Sequence, residues 1–348
     1  MEKGCYVKDI RPDTEVSGLF AVSKAGSGTT RNGQPYWNLT LADASGNLEA
    51  KIWHPQSAQF DDIPVGALVW AQGHAGLYRE QLQLVIERFR LLADEERAAV
   101  APVWLMPASP FPLDGMLEEL RALCRAEFSH APWRKLVHSV FDRQDLMARF
   151  RICPAAKGVH HAYIGGLLEH TLGVFRLCRH LADDYAELDR QALLAGALFH
   201  DIGKIREFSC DLVIDYTDEG HLVGHLVLGV EILAPFLAAS GLEDGLQQHL
   251  RHLVLSHHGT RDFGAVQLPQ TAEAFALHHA DNLDAKLAQC RSLFAPMAEG
   301  GSAWTPYQKT LDRSLHRPAR TPEAPAGRKR GDKRKPPPEE QCSLLSKE

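Results

Sequence analysis

Seven residues between positions 170 and 281 are of the types that hold metal ions. They are His170, His200 with Asp201, His225, His257 with His258, and Asp281. A single His-Asp pair means little, because such a dipeptide occurs by chance at helix ends. Here further His and Asp recur at intervals of about one helix plus one loop, so each rung falls on a different helix, which is how a helical bundle builds a metal centre in its interior. The donors are imidazole and carboxylate without thiolate, a set that suits Mn, Fe, Co, Ni or a catalytic Zn rather than a closed structural zinc. His170, His200, Asp201 and Asp281 suffice for one ion. His225, His257 and His258 would supply a second, with Asp201 as the bridging carboxylate because it directly follows a ligand. Two ions about 3.5–4 Å apart can stabilise both the attacking and the leaving oxygen of a phosphoryl displacement, so a phosphohydrolase is the expected chemistry.

Around the ladder, Lys204 ends the run His200-Asp201-Ile202-Gly203-Lys204. It has two readings: a cation placed to neutralise a phosphate oxygen, and an ordinary helix stop with Gly203. His160 and His161 precede the first rung and are expected either to line the substrate entrance or to belong to a polar loop. Asp284 lies one turn after Asp281 and is expected to orient a ligand or a water. His180, His221, His249, His252, His278 and His279 are left outside the site. His252 is five residues before His257, too far round a helix to share its direction.

The ladder requires elements that bring its rungs to one level. Leu167, Leu168, Leu172, Phe175 and Leu181 repeat at helical spacing, as do Leu193, Leu194, Ala197 and Leu198, then Leu226, Val230, Leu233 and Leu237. The pattern predicts helices throughout from Tyr163 to about Phe294. His170 falls near the start of its helix, His200-Asp201 at the end of the next, His225 near the start of the third and His257-His258 at the end of the fourth. In helices of alternating direction these places meet, and Asp281 within the fifth closes the site. Of the 18 histidines, 13 lie between His160 and His279.

Upstream, Gly18 to Val22, Tyr36 to Leu41, Leu48 to Trp53, Ala67 to Ala71 and Leu82 to Phe89 read as short strands separated by turn chemistry such as Arg31-Asn32-Gly33. Five such strands suit a small closed barrel of the OB type. The expected fold class is thus multidomain: an all-β OB-fold barrel (1–93), a linker with accessory helices at Leu113 to Phe128 and Trp133 to Phe150 (94–160), an all-α bundle carrying the ladder (161–295), and a basic Pro-rich tail expected to be disordered (296–348). The tail carries Arg328-Lys329-Arg330 and Lys333-Arg334-Lys335, read either as a solvated segment or as a nonspecific contact with phosphates. No internal repeat is evident.

Composition sets the remaining bounds. A net charge of −6 over 348 residues gives no global field favouring nucleic acid. Seven cysteines, scattered and never spaced C-x-x-C, argue against a disulfide framework and a thiolate zinc site. No signal peptide and no run of about 20 apolar residues is seen, so a cytoplasmic chain with no membrane partner is expected.

With these residues assembled, the ladder resembles the HD-domain metal-dependent phosphohydrolases, whose H, HD, D pattern is matched by His170, His200-Asp201 and Asp281. The stretches HHAYIGGLLEHTLGV, LLAGALFHDIGK, YTDEGHLVGH, LSHHG and HHADNLDAK, in that order behind an OB-like barrel, resemble the YhaM family of 3′ to 5′ exoribonucleases over residues 1 to about 295. The resemblance implies a Mn- or Co-supported exonuclease that shortens single-stranded RNA from its 3′ end and releases nucleoside 5′-monophosphates, with single-stranded DNA as a second candidate substrate. It also suggests a homo-oligomer. HD hydrolases of cyclic dinucleotides carry Gly-Tyr-Pro after the double His, whereas here His258 leads into Gly259-Thr260-Arg261-Asp262-Phe263, which disfavours that substrate. The barrel's charges nearly cancel, so RNA binding there would lean on stacking over Tyr36, Trp37, Trp53 or Tyr78, aided by Lys51 and Arg79. The competing reading of these aromatics is barrel core. Two alternatives to the exonuclease are a phosphohydrolase of free nucleotides and a non-catalytic nucleic-acid-binding protein.

Overall fold

The structure, a computed structural model, describes residues 2–158, 161–210, 214–297, 301–319 and 321. Strands β1 (Thr14–Thr29), β2 (Pro35–Asp43), β3 (Gly46–Ile52), β4 (Leu68–Tyr78) and β5 (Gln81–Leu91) close into a barrel in the order β1-β2-β3-β5-β4, with β4 also paired to β1. Only β3 and β5 run parallel. Alternation along each strand sends one parity inward, so Leu39 and Leu41 of β2 meet Leu48, Ala50 and Ile52 of β3 in a single core. The strands are longer than the apolar runs predict, because β1 continues as a polar, largely exposed ladder and β4 runs on through small residues, among them the buried Gly73 and Ala75, to the exposed Leu77 and Tyr78.

The short helix α1 (Asp94–Ala98) leads into α2 (Leu113–Glu127), α3 (Ala131–Phe141) and α4 (Gln144–Ile152). A single helix is expected over Trp133 to Phe150, but the chain breaks at Asp142-Arg143. There Arg143 leaves the helical region and its guanidinium pairs with Asp145 in the first turn of α4.

The bundle consists of α5 (Gly166–Asp184), α6 (Arg190–Phe199), the one-turn α7 (Lys204–Glu207), α8 (Asp218–Leu222), α9 (His225–Ser240), α10 (Asp244–Ser256) and α11 (Ala272–Phe294). It is not helical throughout: β6 (Phe208–Cys210) and β7 (Ile214–Tyr216) form a small hairpin after α7. Strands of three residues are too short to show a period of two, so the apolar pattern does not reveal them.

Helix α6 explains where the site lies. Every residue from Ala192 to Phe199 is buried, so α6 is apolar all round and must be enclosed by other helices. Leu193, Leu194 and Ala197 share one core with Leu168 and Phe175 of α5, Leu250 and Leu253 of α10, and Leu277 of α11. Its start is fixed by Asp189, whose side chain accepts the Ala192 N–H (3.0 Å) while its own N–H donates to Glu273 of α11 (2.7 Å). A helix enclosed in this way delivers its last residues, His200 and Asp201, to the interior.

The described residues from Pro296 onward belong to a compact unit separate from Met1–Ala295. Within it, 301–319 carry two isolated antiparallel bridges, Trp304 with His316 and Gln308 with Arg313, where a disordered tail was expected. Arg328-Lys329-Arg330 and Lys333-Arg334-Lys335 lie outside the described residues.

Candidate metal centre

The five ladder histidines are each held from behind through Nδ1. His200 Nδ1 lies 2.9 Å from the Ala197 carbonyl, His257 Nδ1 2.8 Å from that of Val254, and His258 Nδ1 2.6 Å from that of Phe263. His170 Nδ1 is 2.8 Å from Asp284 Oδ2, and His225 Nδ1 is 2.9 Å from Glu207 Oε1. A carbonyl or carboxylate only accepts, so Nδ1 must be the protonated nitrogen in each ring. In a neutral ring the Nε2 lone pair is then left to face a ligand. This is the outer-sphere arrangement that fixes the tautomer and ring orientation of metal-ligating histidines.

The Nε2 atoms converge on Asp201, which is fully buried. Asp201 Oδ2 lies 3.4 Å from His200 Nε2 and 3.6 Å from His170 Nε2, while Oδ1 lies 3.5 Å from both His225 Nε2 and His257 Nε2. His225 Nε2 and His258 Nε2 are themselves 3.1 Å apart. Oδ1 is buried with no hydrogen-bond partner. Three imidazole lone pairs and a carboxylate oxygen thus point at one place with no donor among them, a repulsive arrangement that a divalent cation relieves. His225, His257 and His258 form one candidate ligand group, and His170, His200 and Asp201 another. Asp281 Oδ1, 3.1 Å from His170 Nε2, joins the second. The donors fit hard or borderline divalent ions, and the sets that would hold them are His170, His200, Asp201 and Asp281 on one side and His225, His257, His258 and Asp201 on the other.

Backbone geometry makes the convergence sterically feasible. A side chain at Gly203 would place its Cβ 2.0 Å from the His225 carbonyl oxygen, so only glycine lets the turn after Asp201 press against the start of α9. His225 enters its helix directly from Gly224, which has φ +77°.

The electrostatics follow from burial working against neighbouring charge. Burial alone would raise the Asp201 carboxyl, but Lys204 and His200 outweigh it and hold it well below the usual carboxylate range. Lys204 Nζ lies 2.6 Å from Asp201 Oδ2, and the carboxylate in turn keeps this buried ammonium charged despite its desolvation. Lys204 is therefore no helix stop, since it begins α7 and points into the site. Burial opposes a charge on His170, yet Asp281 and Asp284 on its two sides raise it to about 10. For His258 burial comes first, and His257 and His225 add to it, lowering it to about 3.

His161 is one of the residues, with Glu169 and Asp284, that line a cavity of about 470 Å³. His161 is buried, with φ +51°, its Nδ1 2.8 Å from the Tyr163 hydroxyl and its Nε2 3.2 Å from Asp284 Oδ2. The left-handed backbone turns its ring inward behind His170. His160 lies outside the described residues. Asp284 bridges His161 and His170, and their attraction outweighs burial to hold it far below its ordinary value. Removing that acceptor in Asp284→Ala is expected to weaken metal binding about 10–100-fold. Competition of Mn against a fluorescent chelator measures this, and an unchanged affinity would remove Asp284 from the site.

On the barrel, five of the six predicted nucleic-acid residues cluster. Lys51 Nζ lies 5.5 Å from the Tyr36 ring, 4.9 Å from Trp53 and 5.7 Å from Tyr78, and the Arg79 guanidinium lies 5.4 Å from Tyr78. Tyr36 and Trp53 rings are 5.3 Å apart. Trp53 and Tyr78 are exposed. Trp37 is the exception: it shares the inward parity of Leu39 and Leu41 and is buried in the barrel core, so it cannot stack on a base without unfolding β2.

The family model described as HD domain matches residues 167–286, and that described as OB-fold nucleic acid binding domain matches residues 20–92. Over 289 residues the chain is 31% identical to the 3′-5′ exoribonuclease YhaM of Bacillus velezensis, covering 82% of this chain and 89% of the relative. The chain belongs to the YhaM family. The protein of the same name from Bacillus subtilis is 29% identical over 287 residues, with the same shares covered, and that from Listeria innocua is 32% identical over 271 residues, covering 77% and 85%. Among solved structures, the second OB-fold domain of replication protein A from Methanococcus maripaludis aligns with 26% of this chain and 95% of its own, at 15% identity and a TM-score of 0.23.

In this YhaM-family chain, sequence reasoning names Asp284 but misses the other groups behind the ladder histidines. Glu207 accepts both the backbone N–H (3.0 Å) and the ring of His225 from 18 residues upstream. Its signal is faint: a carboxylate at the end of the turn that carries Lys204. The carbonyls of Ala197 and Val254 are more legible, because a histidine just past a helix end bonds naturally to a carbonyl three residues back.

Proposed function

We propose that the protein is a metal-dependent exonuclease that shortens single-stranded RNA from the 3′ end and releases nucleoside 5′-monophosphates. The observation that carries the chemistry is Asp201, buried, with each oxygen turned to a different group of histidines and one oxygen lacking any protein donor. Two divalent ions, with Mn the first candidate, would be held there by the two sets named above. When bound, such ions supply Lewis acidity to a phosphoryl group and lower the pKa of a water. The protein's own part is to keep the five imidazoles in their ligand tautomer through Nδ1, and to hold Lys204 charged beside Asp201, where a phosphate oxygen carrying developing charge would find it.

Residues 1–93 would supply the grip on the strand. Stacking on the exposed patch of Tyr36, Trp53 and Tyr78 is sequence-tolerant, and Lys51 and Arg79 add the cations a backbone needs, which suits a chain with no overall positive field. Trp53→Ala is expected to weaken binding of a metal-stripped protein to oligouridine by about 1–3 kcal/mol, roughly 5- to 150-fold. Fluorescence anisotropy reads this directly, and Trp37→Phe, a core change, serves as the comparison that leaves affinity in place. No described helix is long and apolar enough to cross a membrane, and the proposed place of action is the cytoplasm.

The experiment that tests the whole reading is incubation with RNA labelled at the 5′ end, with Mn and with chelator. A ladder shortening progressively from the 3′ end, abolished by chelator, supports it. Intact RNA alongside hydrolysis of free nucleotides would replace it with a nucleotide phosphohydrolase.

A further inference from the structure

Outside the metal centre one short pattern occurs twice. Arg121-Ala-Leu-Cys124-Arg125-Ala-Glu-Phe128 runs along α2 and just past its end. Arg134-Lys-Leu-Val137-His138-Ser-Val-Phe141 runs along α3. In both, cations or an imidazole hold the first and fifth positions, an apolar residue the fourth and Phe the eighth. Residues four apart share a helix face, so each segment presents a cationic row beside an apolar one. Only residues 128–130 separate the two helices, and residues of both rows line one cavity.

Between them lies a cavity of about 330 Å³ lined by both rows and by Asp142. Its floor is apolar: Cys124, Phe128 and Val137 are buried and Phe141 is half-buried. Burial pushes the Cys124 thiol up to about 12, so the floor carries no charge. The rim is cationic. Arg125, Arg134 and His138 are exposed, and the Arg121 guanidinium lies 5.9 Å from the Phe141 ring. Its charges are partly compensated: the exposed Asp142 carboxylate lines the same cavity and Arg121 meets the exposed Glu118 at 3.0 Å, whereas Arg134 donates to the neutral Ser129 carbonyl and among the described residues Arg125 has no ion pair. Three guanidinium groups around one cavity are notable in a chain of net charge −6.

We propose that this cavity is a nucleotide-binding site distinct from the metal centre, taking a base on the half-buried Phe141 ring, with Cys124, Phe128 and Val137 beneath it, and its phosphate on the arginine rim. The ligand class follows from the two chemistries being adjacent. Guanidinium groups take phosphate oxygens in paired hydrogen bonds and stack on aromatic planes. A flat apolar floor takes a ring, and the volume lies at the lower end of the roughly 300–1,000 Å³ of small-molecule pockets. The nucleotide has two sources, a free mononucleotide or one residue of a longer strand. Neither helix carries a ligand of the metal centre, so the site can be assayed without turnover, and its success or failure is separate from that of the exonuclease reading.

The test uses the full chain stripped of metal with EDTA. Isothermal titration with adenosine 5′-monophosphate is compared between wild type and Arg125→Gln/Arg134→Gln, with inorganic phosphate as the second probe and a photo-crosslinking RNA decanucleotide as the third. Binding of the mononucleotide, weakened at least tenfold in the variant and partly restored in Arg125→Lys/Arg134→Lys, supports a site for the free nucleotide. Crosslinks to α2 or α3 that vanish in the Gln variant, without mononucleotide binding, support a site on the strand's path. Unchanged binding of both probes in the variant overturns the proposal, as does inorganic phosphate binding as tightly as the mononucleotide, which would leave the floor without a role. Both substituted arginines are exposed, so an unchanged thermal midpoint and unchanged Mn-dependent hydrolysis of bis-p-nitrophenyl phosphate are expected alongside.

Discussion

Asp201→Asn is expected to lower Mn-dependent RNA shortening by about 10³-fold or more. A metal ion contributes several kcal/mol to stabilising a phosphoryl-transfer transition state, each 1.4 kcal/mol being about tenfold in rate, and Asp201 is the one carboxylate that faces both histidine groups. Asn preserves shape but brings an NH₂ group, a donor, to a place where the surrounding Nε2 atoms need a cation. The same change leaves the Lys204 ammonium buried without its partner, and breaking a buried pair costs about 3–5 kcal/mol. Lost activity could therefore come from a damaged fold, and a second variant separates the two. Asp201→Asn/Lys204→Met removes the stranded charge, so its thermal midpoint should return toward wild type while its activity does not. Metal content by mass spectrometry completes the test. If the single variant retains both metal and rate, Asp201 bridges nothing.

Much of this arrangement is legible in the sequence because most ladder residues sit where helices begin and end. His200 and His257 follow directly on the last residues of α6 and α10, and His225 opens α9, so the phase of the apolar pattern locates all three before any contact is known. The pattern cannot show which carboxylates stand behind the rings. Asp284 meets His161 across 123 residues, and Glu169 receives hydrogen bonds from Tyr163 and from Ser109, 60 residues away. Such pairings belong to packing and leave no local period. Trp37 is a different kind of miss, since its signal was present. It has the parity of Leu39 and Leu41, and a strand read for alternation assigns it to the core, while Tyr36 on the other parity stays outside. His161 eludes sequence reading for a backbone reason: φ is positive, and a non-glycine residue gives no warning of that.

The second large effect is a difference in how the two candidate ion sites respond to pH. In the metal-free protein His170 holds its proton up to about pH 10, because Asp281 and Asp284 outweigh burial, whereas an unfolded histidine titrates near 6.5. A folded value raised above the unfolded one stabilises the metal-free fold fully below about pH 6.5, and this stabilisation is lost as pH rises through about 10. To serve as a ligand, His170 Nε2 must give up that proton, so binding on this side releases one proton and its affinity should rise about tenfold per pH unit between roughly 7 and 9. On the other side, burial lowers His257, and His258 falls to about 3, so both are already neutral over that range and have no proton to release. The ion held by His225, His257 and His258 should accordingly bind with little change. Mn titrations of the chelated protein at pH 7 and pH 9 should resolve two events, of which one strengthens about 100-fold and the other stays nearly constant. Saturation 100-fold above the dissociation constant adds about 2.7 kcal/mol, and so roughly 5–10 °C in thermal midpoint. Equal pH slopes for the two events would show that His170 is not a ligand of one ion alone, and a single event at every pH would show that Asp201 serves one ion only.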